Sequence, residues 1–244
     1  MKQLTRRRVW SAACASVLVS VCLGAAATEA DAASIPLFNT GLSTTGTLLA
    51  GGSVDPHYTL VVSGDPAYPG PNAIVANPIA AGYWMANGPN SQWIAPRANQ
   101  AYPSPGSGNE PFTSGPNRTY SYQTTFDLTG LNFLTASISG GWAVDNGGVD
   151  ILINGVSTGQ TSGGYSSLTP FTINSGFVGG LNTLTFVTTN WCCDTSNPTG
   201  LRVELVGSAE GLSRGGVVPE PASLVLLGTG LALVAARRRF TRRA

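Results

Sequence analysis

The stretch TYSYQTTFDL, Thr119 to Leu128, sets Tyr120, Tyr122, Phe126 and Leu128 on one parity and mostly polar residues on the other. A period of two is that of a half-buried strand, because successive side chains of an extended chain point to opposite faces. The alternation recurs in LTASISGGW (134–142), VDILING (149–155), TLTFVTTN (183–190) and LRVELVG (201–207). Between these runs stand two turn signals, Asp145-Asn146-Gly147-Gly148 and Asn154-Gly155, the second a strong cue for a two-residue hairpin. No segment here keeps a helical period over a helix's length. The expected fold is therefore all-β, an antiparallel β-sandwich of jelly-roll type.

Upstream, residues 34–117 read differently. Prolines from Pro56 to Pro116 interrupt any long element, leaving short strands such as Tyr58 to Ser63 among long loops wrapped on the regular half. Downstream, GSAEGLSRGG (207–216) is a flexible spacer. The sandwich domain is thus expected over 34–206, loop-rich to 117 and regular from 118.

The net charge of +1 averages unlike pieces. Lys2, Arg6, Arg7 and Arg8 crowd the start, and Arg237, Arg238, Arg239, Arg242 and Arg243 the end. From Ser34 to Val218 four arginines face nine acids, a net −5 with no lysine. Such a body has no electrostatic footprint for a phosphate backbone, so nucleic acid is not among its expected partners. Its Gly, Ser, Thr and Asn, alternating with aliphatic and aromatic residues, suit a β-rich extracellular domain rather than disorder.

The first 33 residues combine a basic start, an apolar run and small-residue exits at Ala27, Ala30 and Ala33, the build of a secretory signal read by the export translocon. Cleavage after Ala33 is expected, with Ser34 opening the body. Cys22 lacks the small residues that precede a lipidated cysteine.

The other end, 217–244, runs VVPEPASLVLLGTGLALVAARRRFTRRA. Its apolar part, Ala222 to Ala236, is 15 residues long, roughly 22 Å as a helix against a hydrocarbon core of about 30 Å. Val218-Pro219-Glu220-Pro221, a short transmembrane helix and the cluster Arg237, Arg238 and Arg239 together resemble the PEP-CTERM sorting signal of certain Gram-negative bacteria. That resemblance implies a membrane protease, exosortase, which removes the helix and releases the protein to the cell surface or the biofilm matrix. The physics agrees, since the prolines keep the approach extended and the arginines hold to the cytoplasmic side.

A second resemblance rests on YSYQTTFDLTG, the W-x-x-D-N and Asn-Gly turns of GGWAVDNGGVDILINGVSTGQ, then PFTIN, GLNTLTFVTTN and GLRVEL. These are similar to galactose-binding-like jelly rolls, which include sugar-binding domains beside some β-glycosidases. The likeness implies fold more than ligand. Trp142, Asp145, Asn146, Tyr165, Trp191, Asp194 and Arg202 supply what a carbohydrate site needs, an aromatic face for a pyranose and polar groups for its hydroxyls. Trp142 equally suits a core position on its strand, and the Trp84 and Trp93 pair has the same two readings.

His57, the only histidine, reads as a loop residue hydrogen-bonded near Asp55, since no nucleophile elbow accompanies it. Asp145, Asn146, Asp150 and Asn154 offer oxygens of the kind calcium takes, but their spacing is not that of an EF-hand and Asx turns explain them as well. No cofactor is expected. Cys192 and Cys193, the cysteines left after leader removal, admit a strained vicinal disulfide, free thiols or an intermolecular bridge. The expected protein is a non-enzymatic surface or matrix component that associates with polysaccharide. A polysaccharide hydrolase and a structural coat protein without a small ligand are the alternatives.

Overall fold

The computed structural model describes residues 31–101, 118–191, 197–212 and 226–232. The leader through Ala30, Glu110, the pair Cys192 and Cys193, Asp194, the sorting residues Val218, Pro219, Glu220 and Pro221, and Arg237, Arg238 and Arg239 lie outside them.

The strands in chain order are β1 (Ala32–Ser34), β2 (Val54–Val62), β3 (Asn72–Val75), β4 (Ile94–Ala95), β5 (Arg118–Asp127), β6 (Ser137–Asp145), β7 (Gly147–Ile153), β8 (Val156–Ser157), β9 (Thr169–Ile173), β10 (Leu181–Asn190) and β11 (Gly200–Glu210). They join one curled antiparallel sheet of order β8-β7-β10-β5-β2-β3-β4-β11-β6-β9, with β1 on β11. The curl folds the sheet into a sandwich. One layer is β8-β7-β10-β5-β2, the other centres on β11, β6 and β9, and β3 and β4 turn the corner between them. From β5 onward most connections change layer.

Alternation explains the burial. On β5 Tyr120, Tyr122 and Phe126 point inward, and on β6 Ile138, Trp142 and Val144 do the same from the facing layer. The two sets meet around Phe186 of β10, whose ring lies 5.6 Å from Trp142, 6.0 Å from Phe171 and 6.4 Å from Tyr58. A second, smaller core forms outside the β6–β11 layer. There Trp84, Trp93 and Ala95, carried by the proline-rich segment, cover Ala143.

The Asn154-Gly155 hairpin forms as expected, pairing Ile153 with Val156. Both turn residues have positive φ, 51° and 79°, which Asn and Gly tolerate best. Asn154 also receives the amide of Thr183 and donates to Gly176 and Asn182. The Asp145-Asn146 turn, by contrast, joins strands of different layers, since β6 pairs with β11 and β9 whereas β7 pairs with β10.

Four expectations change. β11 runs on to Glu210, so residues 207–210 of the expected spacer are strand, paired with β6 and β1. β2 spans Val54–Val62, longer than the Tyr58 to Ser63 run, and contains Pro56. The ladder with β3 is irregular there, and the Asp55 carboxylate takes the amides of Gly41, His57 and Tyr58 instead. His57 consequently sits on a strand, stacked on Phe38 at 3.6 Å. Finally, β1 draws Ala32 and Ala33 into the sheet against Glu210 and Ala209, residues that a cut after Ala33 would remove. In the tail, residues 226–232 are helical, and no helix among the described residues is long and apolar enough to cross a membrane.

Candidate functional site

Sheet register gathers several loops at one end of the sandwich. Asn190 ends β10 opposite Arg118, Thr189 faces Gly147, and Asp145 faces Gly200. Arg118 donates to the carbonyl of Gly64, tying in the connection after β2. Gln100 accepts from the amide of Thr199, whose hydroxyl donates to the carbonyl of Asp145. These are chain connections rather than paired strands, which is where a rigid scaffold places recognition residues.

Trp191 is a large aromatic presented at this end, 47 % exposed. Its ring rests on Gly147, where an added Cβ would lie 2.3 Å from the ring. Its amide donates to Oδ1 of Asn146 at 2.9 Å, and beside it the Asn197 amide donates to Asn190. Ring and Asn146 side chain are thus fixed together, a flat apolar face with an amide next to it. Tyr165 is half-buried against the second core, its carbonyl accepting from the Met85 amide.

Asp145 lies underneath, 3 % exposed. Its Oδ2 accepts from Trp84 Nε1 at 2.7 Å, and no described group reaches Oδ1. Burial raises its carboxyl to about 7, the Trp84 hydrogen bond opposing. Asp145 therefore anchors the segment that carries Trp84 rather than facing solvent.

Two further expected ligand residues point elsewhere. Trp142 is fully buried, its even parity on β6 directing the ring inward, so it offers no face to a sugar. Arg202, on the outer face of β11, is covered by the same segment. Its guanidinium donates to Ser91 Oγ at 2.7 Å, to the carbonyl of Ala86 and to Glu204 Oε1 at 3.2 Å. Desolvation lowers its pKa, Glu204 opposing. Gly88 makes room, since a Cβ there would come within 2.6 Å of the guanidinium. Arg202 is thus buried as a clamp for that segment rather than presented to solvent.

The oxygens considered for calcium do not converge. Asp150 accepts from Gly159, and Asn154 is engaged in its hairpin. Asp145 and Asn154 bracket β7, on the order of 20 Å apart. Asp145 and Glu204 share the outer face of one layer, but Glu204 pairs with Gly141, four residues from Asp145. That places them about 14 Å apart at the backbone, wider than the roughly 5 to 10 Å of a glycosidase pair.

Among the described residues two depressions stand out. One, of about 410 Å³, crosses β6 and β11 beside Ser139 and Glu204. The other, of about 540 Å³, lies between residues 67–74 and 96–99 at the loop end, and includes Tyr68, Asn72, Arg97 and Asn99. Sequence reasoning missed this cleft. Its one signal was the aromatic set between prolines in DPAYPG.

Residues 217–239 match the family model described as the PEP-CTERM protein-sorting motif. The motif implies an exported protein whose membrane-anchoring sorting tail is processed by an exosortase. No curated protein matches the chain.

Proposed function

We propose that this exosortase-processed, exported protein is a non-enzymatic component of the cell surface or extracellular matrix that holds polysaccharide at the loop end of its sandwich. The observation that carries the reading is the exposed Trp191 ring laid on Gly147 with Asn146 fixed beside it. Such a shelf stacks on the apolar face of a pyranose while the amide takes a hydroxyl. Tyr165 packs against the second core, and Asp145 holds the neighbouring Trp84 segment from below.

The test is affinity electrophoresis of the protein recovered after export from cells expressing the full chain, in gels containing different polysaccharides. Retardation that Trp191→Ala reduces about tenfold in apparent affinity is the expected result. Retardation unchanged in a folded Trp191→Ala protein removes the shelf from the site. Loss of gel polysaccharide with release of reducing ends points to the hydrolase, and no retardation in any gel to a structural coat. Mass spectrometry of the same sample is expected to lack Arg237, Arg238 and Arg239. Finding them would defeat the processing step.

A further inference from the structure

We infer that the cleft between residues 67–74 and 96–99 is a second subsite, for an uncharged stretch of polysaccharide, so that the loop end grips a chain rather than a single sugar. This rests on the function proposed above and adds a site that the motif and the sequence left unassigned.

The cleft is built rather than incidental. Asp65, itself buried, accepts from the Ala67 amide through its carboxylate and from the Tyr68 amide through its carbonyl, and this turn sets Tyr68 on the wall. Arg97 lies over the Tyr68 ring, its carbon 5.4 Å from the centroid, and holds it in place. Asn72 projects from β3 with its side chain exposed, and Asn99 uses only Oδ1 internally, on the Ala101 amide. An aromatic wall with amides around it presents paired donors and acceptors next to an apolar face, the complement of a sugar ring.

Charge selects within that class. Arg97 is the one charged residue among the lining side chains, and it is 5 % exposed. The body around it carries a net −5. A polyanion would meet that net negative charge with the one charged group among the described lining residues buried, whereas a neutral polyol meets hydrogen-bonding groups.

Position selects the polymer. Register sets Asn72 level with Thr185 of β10, through Thr59 and Gln123, six residues short of Trp191, so the two lie about 14 Å apart across the strands and about 20 Å along them, roughly 24 Å in all. A monosaccharide fills one position. A chain lying across the loop end reaches both, and linkage makes the second contact intramolecular.

The experiment uses the exported protein in gels of galactomannan, mixed-linkage β-glucan, dextran and polygalacturonate, with Tyr68→Ala, Asn72→Ala and Trp191→Ala variants checked for folding by near-ultraviolet circular dichroism. Retardation in a neutral gel, weakened about tenfold by Tyr68→Ala and about threefold by Asn72→Ala, is expected. If Tyr68→Ala disturbs folding, the exposed Asn72→Ala alone decides. Unchanged retardation in the folded cleft variants, with loss in Trp191→Ala, overturns the second subsite and leaves the shelf standing. Retardation by polygalacturonate alone overturns the neutral class. No retardation of the unaltered protein in any gel removes this inference together with the function beneath it.

Discussion

Replacing Asp145 by asparagine removes the ionisable group from beneath Trp84, and the consequence has a definite sign. The folded carboxyl titrates at about 7 against an ordinary value of 3.8. An acid whose folded pKa is raised keeps its proton longer folded than unfolded, so stability falls as pH climbs from about 4 to about 7. At about 1.36 kcal/mol for each of roughly three pH units, the loss is about 4 kcal/mol, nearly complete by pH 7. Asparagine stays neutral throughout. Its carbonyl accepts from Trp84 Nε1, while its NH2 group occupies the place of Oδ1, where the neutral acid's O–H likewise meets no described acceptor, so at low pH the two side chains are close to equivalent. The variant should therefore be about as stable as the unaltered protein below pH 4 and the more stable above pH 7, with the difference growing by about 4 kcal/mol between them. Asp55, which burial also raises, contributes equally to both proteins and cancels. Urea denaturation between pH 4 and 8.5 measures the two curves. Curves running parallel would refute the assignment.

Trp142→Ala is expected to cost about 3–5 kcal/mol in the same assay, with glycan retention intact in whatever fraction stays folded, because the ring is core and not site. Gly88→Ala should cost about 1–3 kcal/mol by pressing on the Arg202 guanidinium. Unaltered stability would mean that the Ala86 to Ser91 turn yields freely. The exported protein should begin at Asp31 or earlier, since β1 uses Ala32 to Ser34 and the Asp31 carbonyl accepts from Gly211. N-terminal sequencing that starts at Ala33 or Ser34 would show that the sheet forms without it.

Strand parity carried most of the fold. It gave the regular half its elements, and it already set Trp142 on the inward parity of Ile138 and Val144. The Asn-Gly hairpin was legible because both its residues admit positive φ locally. Partner choice was not. Nothing in Asp145-Asn146 distinguishes a hairpin from a crossing between layers, because that depends on what β11 and β10 offer far along the chain. Arg202 shows the same limit. Its outward parity suggested solvent, but a proline-rich segment with no periodicity of its own closes over that face. The Tyr68 cleft needs residues 67–74 and 96–99 at once, and no local pattern links them. Trp191 was legible as an aromatic just beyond a strand end, though the glycine supporting its ring lies 44 positions earlier in the chain.

The pairing of β1 with the last residues of β11 decides how this domain is presented before its release. Asp31 and Gly211 are neighbours, so the leader and the sorting tail depart from a single corner, like two cords knotted at one hook. β11 then runs from that hook to Gly200 beside Asp145, 11 residues that span roughly 30 Å. Trp191 therefore lies at the end of the domain away from that hook.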